Sequence, residues 1–155
     1  MDAIPREVMT QLVIGYGNTL RCDDGVGQSV AAAVAAWALP AVVVRSCHQL
    51  TPELAAEIAE VERVIFIDVF PVHNEMPTEP LRVLPIEPEE GTGAMGHHLT
   101  PQRLLALTQA LYGCCPAALW VLVPGMNFEF GETFSPLAAS RHTEAIAILK
   151  PLLMP

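Results

Sequence analysis

Positive charge is scarce in this chain of 155 residues. Eight Lys and Arg stand against 17 Asp and Glu, a formal net charge of −9. A surface of that sign repels nucleic acid and anionic membranes, and it suits a basic peptide or a metal cation. Charged residues make up only 16% of the chain against 52% apolar residues, which excludes a disordered chain. The length suffices for one domain with a full core, spanning residues 1–155, and is too short for two comfortable ones. Cysteines are few: Cys22, Cys47, Cys114 and Cys115. They form no C-x-x-C pair, and the vicinal two are poorly suited to a disulfide, so free thiols in a reducing cytosol are expected.

Other signals are missing as well. The opening "MDAIPREVMTQ" has no basic segment leading into an apolar one, so no signal peptide is expected and a cytoplasmic location follows. The most membrane-like run, "VGQSVAAAVAAWALPAVVV", carries Gln28 and Ser29 and is split by Pro40 into a helix-length and a strand-length piece. Neither G-x-S-x-G nor H-E-x-x-H occurs. A dinucleotide fingerprint fails too: "GYGNTL" has leucine at the third glycine position, and Asp23 and Asp24 follow where a pyrophosphate would sit.

What is present is alternation. "QLVIGYG", "AVVVRS", "RVIFIDVF", "LRVLPI" and "AALWVLVPG" read as strands. "DDGVGQSVAAAVAAWAL" reads as a helix that Asp23 can cap, and "TPELAAEIAEV" as a helix with Thr51 as N-cap and Pro52 first. "TPQRLLALTQALYG" is capped by Thr100 and closed by Gly113, and a last helix starts at Ser135–Pro136. The order β-α-β-α-β-β-α-β-α predicts an α/β domain with helices on both faces of a mostly parallel sheet. Ligands of such sheets bind outside the carboxyl ends of the strands.

Three kinds of polar residue fall at those ends. Asp24 lies in the turn after the first strand, Asp68 ends the apolar "VIFID", and His97 or His98 precedes a helix. Taken singly, each has a plain reading as a helix cap, a strand-end acceptor or a solvated loop residue. Together they make an O,O,N donor set suited to a divalent transition metal. Ser46, Cys47 and His48 cluster after the second strand, in a loop at the same edge suited to substrate contact. The acids Glu87, Glu89 and Glu90 fall in a glycine-containing loop that ends at the two histidines, where they would attract a basic tail or a cation.

"GYGNTLRCDDGVG" resembles the N-terminal signature of the [NiFe]-hydrogenase maturation proteases, and the resemblance continues at "VIFIDV", "HHLTPQRLLAL" and "VPGMNFEFGETFSP". It implies a three-layer α/β/α sandwich around a five-stranded, mostly parallel sheet. It also implies an endopeptidase that removes the C-terminal extension of a hydrogenase large-subunit precursor. The metal-binding trio it implies is Asp24, Asp68 and His97, with His98 as the alternative if the motif slips by one. The metal would be nickel already seated in the precursor. Asp24 and Asp68 would be the catalytic carboxylates, an aspartic type of cleavage being one expectation. Many relatives carry an aspartate after the second strand; "RSCHQLT" has Ser46 there, so Ser46, His48, Gln49 and His98 are expected to place substrate and not to move protons. Two other readings compete: a non-catalytic metal-binding or chaperone module on the same fold, and a dinucleotide-binding oxidoreductase.

Overall fold

The structure, a computed structural model, describes residues 9–73, 78–90 and 98–154. Five strands form one sheet: β1 (Gln11–Tyr16), β2 (Val42–Cys47), β3 (Arg63–Pro71), β4 (Arg82–Ile86) and β5 (Ala117–Gly125). Their spatial order is β2-β1-β3-β5-β4; β4 alone is antiparallel. Four helices flank it: α1 (Val26–Ala35), α2 (Leu54–Ile58), α3 (Pro101–Tyr112) and α4 (Pro136–Leu153). A short 3-10 turn, Cys22–Gly25, leads into α1.

Strand periodicity sorts the core into two layers. Val13, Ile65, Ile67, Val121 and Val123 face α1 and α4, meeting Val26, Val30, Ala145 and Leu149. Leu12, Ile14, Val64, Phe66 and Ala118 face α2 and α3, meeting Ile58, Leu104 and Leu105. β3 lies at the centre, apolar on both faces, as expected of a buried parallel strand. The expected three-layer α/β/α sandwich is the observed one.

Helix ends follow their signals where the cap is local. Thr100 Oγ1 accepts from Arg103 N at 3.2 Å, and Ser135 Oγ accepts from Ala138 N at 3.2 Å, each with proline in the first turn. Gly113 closes α3 in the left-handed conformation, φ 71°. Two expected caps differ. Thr51 does not cap α2: residues 51–53 make a preliminary turn, with Leu54 N bonded to Thr51 O, and the N-cap is Glu53 without a side-chain bond. Asp23 does not cap α1, whose N-cap is Gly25; its carboxylate is engaged elsewhere.

The antiparallel direction of β4 also corrects the acidic loop. Ile86 pairs with Ala118 and Arg82 with Leu122, so β4 runs back to the amino edge of the sheet. Glu87 therefore starts beside Pro116 and Gln109, at the edge opposite Asp68. Glu89 lies along the first turn of α3 and pairs with Arg103 at 3.1 Å. Of the three, Glu87 is thus placed away from the cavity of Asp68, while Glu89 stays near His98, whose carbonyl accepts from the same Arg103 at 3.5 Å.

Candidate active site

The turn after β1 divides two adjacent acids between two tasks. Gly17 has φ 142°, and a Cβ there would strike the Asp24 carbonyl, so only glycine fits. Asn18 N donates to Asp24 Oδ2 at 2.7 Å, Leu20 N donates to Asn18 Oδ1 at 2.9 Å, and Gln28 Nε2 donates to Gly17 O at 2.7 Å. At Gly27 the helix start comes so close to β3 that a Cβ would meet the Ile67 carbonyl. The glycines of the motif thus bring the start of α1 under the strand ends, with an acid where an anion-binding loop would present bare N–H groups.

Asp23 points inward and is fully buried. Its Oδ2 accepts from Met126 N (2.8 Å), Asn127 N (2.9 Å) and Ser135 Oγ (2.6 Å), and its Oδ1 from Ser135 N (2.8 Å). One carboxylate therefore ties the turn after β1 to the end of β5 and to the cap of α4. Asp24 points the other way, into a cavity of about 490 Å³. Its Oδ1 accepts no hydrogen bond among the described residues, and Oδ2 accepts only the one from Asn18.

That cavity lies at the carboxyl edge of the sheet, on the side of α2 and α3. Its lining includes Asp24, Asp68, His48, Gln49, His98, Tyr16 and Trp120. Asp68 reaches it because residues 64, 66 and 68 share one face of β3, as 12, 14 and 16 do on β1. Asp68 Oδ1 accepts from Val69 N at 2.8 Å. Burial pushes the Asp68 carboxyl up to about 7, the hydrogen bonds from Val69 and Tyr16 partly oppose this, and Asp24 nearby adds to it. Burial, and then the Asp68 charge, also raise the Tyr16 hydroxyl well above its ordinary range. Among the described residues, two carboxylates and two imidazoles line the cavity, with no Lys or Arg. Such a set is electrostatically incomplete, and a cation between the acids would relieve it.

Of the residues singled out in the sequence, Asp24, Asp68, His48, Gln49 and His98 come together here. His97 lies outside the described residues. Among the described residues no group of three His, Cys, Asp or Glu side chains is arranged to hold a metal. Ser46 is not among the lining residues. It belongs to β2, paired with Gly15, and shares the parity of Val42 and Val44, which pack on the α1–α4 side. Cys47, of opposite parity, packs on the cavity side. Tyr16 and Trp120 were not foreseen. Tyr16 reads as the end of one strand and Trp120 as the middle of another, and only the strand-to-strand register puts them beside Asp68. Trp120 Nε1 is buried and has no hydrogen-bond partner among the described residues.

A three-layer α/β/α domain with one antiparallel edge strand and an acidic cavity at the carboxyl edge of the sheet defines a class of fold. Among solved structures it is the fold of the [NiFe]-hydrogenase maturation proteases. HycI from Thermococcus kodakarensis has a TM-score of 0.72 at 18% identity, covering 97% of this chain and 96% of its own. The hydrogenase maturating endopeptidase HybD from E. coli has a TM-score of 0.71 at 20% identity, covering 94% and 92%. An uncharacterized protein from Wolinella succinogenes has the same fold, with a TM-score of 0.62 at 20% identity, covering 94% and 96%. No family model and no curated protein matches the chain in sequence. No helix among the described residues is long and apolar enough to cross a membrane.

Proposed function

We propose that this protein is an endopeptidase that trims the C-terminal extension of a [NiFe]-hydrogenase large-subunit precursor once nickel has been inserted. The observation that carries the reading is the meeting of Asp24 and Asp68 with histidine, and without Lys or Arg among the described residues, at one cavity of a maturation-protease fold. In this reading nickel belongs to the substrate. Asp24, Asp68 and one histidine, His97 or its neighbour His98, test whether it is present. Carboxylate oxygens and imidazole nitrogen suit nickel or zinc better than magnesium.

The chemistry expected of this chain's own residues is limited and specific. Asp24 has an uncommitted oxygen facing the cavity. Asp68, pushed up to about 7, exchanges its proton near neutral pH. A carboxylate in that condition can take a proton from an attacking water and return one to the leaving amine. Metal bound by the substrate would polarise the scissile carbonyl or the water. Tyr16 lines the cavity beside Asp68, where its hydroxyl can steady the carboxyl.

The test is incubation of the purified protein with nickel-loaded and nickel-free precursor. Shortening of the loaded precursor alone is the expected result. Binding without shortening would favour the chaperone reading, and shortening of both forms would remove nickel from the mechanism.

A further inference from the structure

Phe130 is 87% exposed, the most exposed large apolar side chain among the described residues. Its exposure does not come from a slack loop. Asp23 grips both ends of the segment, at Met126–Asn127 and at Ser135. Between them Glu129 N donates to Asn127 Oδ1 (3.0 Å), Arg21 Nε to Phe128 O (3.2 Å), and Gly131 N to Leu20 O (2.8 Å). Cys22 N returns a bond to Gly131 O at 2.8 Å. A side chain on so braced a backbone loses little entropy when a partner covers it. Scattered exposed apolar residues are ordinary; here the bracing runs through the same turn that carries Asp24. Backbone connectivity from Phe130 through Gly131 and Arg21 to Asp24 keeps the two backbones within roughly 15–20 Å.

The surroundings define what could cover it. Leu20, 48% exposed, is the residue whose carbonyl Gly131 meets. Glu129 and Glu132 flank Phe130, both exposed, and neither forms an ion pair among the described residues. Arg21, held on Phe128 O, offsets one of the two acids and leaves the patch net acidic, so a second copy of this chain would bring four glutamates against two arginines and an anionic membrane would meet the same net repulsion. A protein surface with an apolar socket rimmed by Lys or Arg complements the patch in both respects.

We infer that Phe130, with Leu20 beside it, is a fixed docking knob for the body of the protein substrate, inserting into a basic-rimmed apolar socket while the tail enters the cavity of Asp24 and Asp68. This rests on the processing role proposed above. An exposed aromatic anchor of this kind carries a large share of binding energy and none of the chemistry.

The experiment uses the full chain and the nickel-loaded large-subunit precursor of the same organism, with its extension intact. Phe130→Ala is expected to leave the melting temperature unchanged, to weaken binding to immobilised precursor at least tenfold, and to lower kcat/KM as much, with kcat at saturation within about twofold. Phe130→Leu should fall between. Glu129→Gln with Glu132→Gln should slow association and flatten its salt dependence. Wild-type processing with unchanged binding and kcat/KM in Phe130→Ala would overturn the knob and leave the protease reading standing. A fall in kcat alone would overturn it equally. A wild-type chain that binds precursor through Phe130 and never shortens it would support the knob and sink the protease reading. A wild-type chain that neither binds nor shortens precursor sinks both.

Discussion

Asp23 and Asp24 are adjacent in sequence and belong to opposite regions of the molecule. Around Asp23 every donor is protein: three backbone N–H groups and one hydroxyl, from segments more than 100 residues away, with no access to water. Around Asp24 there is one backbone donor, an open cavity, and a second carboxylate across it. A saturated carboxylate is structural, because its charge is already answered. An unsaturated one beside another acid is held ready for something that is not part of the chain. The same residue type thus divides into latch and site according to how many donors surround it, and this contrast can be broken from either side.

The largest effect is expected on the cavity side. Asp24→Ala should reduce precursor shortening by three orders of magnitude or more, the scale of losing a chemical group. Its thermal unfolding should move little, since only the Asn18 hydrogen bond is lost. A variant that unfolds early, or one that still processes at a tenth of the normal rate, would break the assignment of Asp24 to the site.

On the latch side the effect is on stability. Asp23→Ala strips four buried donors of their acceptor at once. Roughly 3–5 kcal/mol is expected, measured by denaturant unfolding, as for other buried polar networks broken from one end. Asp23→Asn should rescue much of this, because its carbonyl oxygen in the place of Oδ2 keeps three of the four donors and its NH₂ faces Ser135 N alone. Limited proteolysis should then cut within residues 126–134 in the alanine variant, where the loop loses its two anchors.

The division between the two acids could not be read from the motif. "DDG" offers both side chains to either region, and only the return of the β5 loop and the α4 cap to this turn decides between them. What was legible had a local cause. Apolar runs marked the strands, Thr100 and Ser135 with their prolines marked two helix starts, and strand-ending Asp68 was conspicuous because an acid there has a desolvation cost. What was not legible depended on pairing partners. The direction of β4 has no signature in its own residues, and with it went the position of Glu87. Tyr16 and Trp120 join the site through the registers of β1 and β5 with β3. Ser46 leaves it through parity: β2 runs one residue further, to Cys47, so Ser46 stays in the pleat and faces with Val42 and Val44.

A smaller and more diagnostic effect concerns pH. Asp68 titrates near 7 in the fold against 3.8 for its ordinary value, so the folded state binds more protons than the unfolded state between those limits. Its contribution to stability is therefore full below about pH 4 and is lost as pH rises through 7. At 1.36 kcal/mol per unit the loss is roughly 2–4 kcal/mol. In metal-free protein Asp68→Asn, which removes the charge at constant shape, should be more stable than wild type at pH 8 by that order, and equal to it at pH 4. If the two unfolding curves stay parallel across this range, Asp68 is not buried against its own charge, and the cavity side loses its pre-set repulsion.

The smallest effect is expected where sequence position alone suggested function. Ser46 stands on β2 opposite Gly15, exposed, with a parity that turns it from the cavity. Its hydroxyl caps nothing and makes no hydrogen bond among the described residues. Ser46→Ala should change unfolding free energy by less than about 0.5 kcal/mol, the range of surface substitutions away from special features. It should also leave processing within about twofold. Gln49→Ala, three residues on and in the cavity lining, is the matched comparison. It should raise KM for precursor several-fold while leaving kcat nearly intact, because it acts in placing substrate and not in proton transfer. If Ser46→Ala is instead the more damaging of the two, the substrate tail runs along the outer edge of β2, and the cavity marks only where the chain is cut.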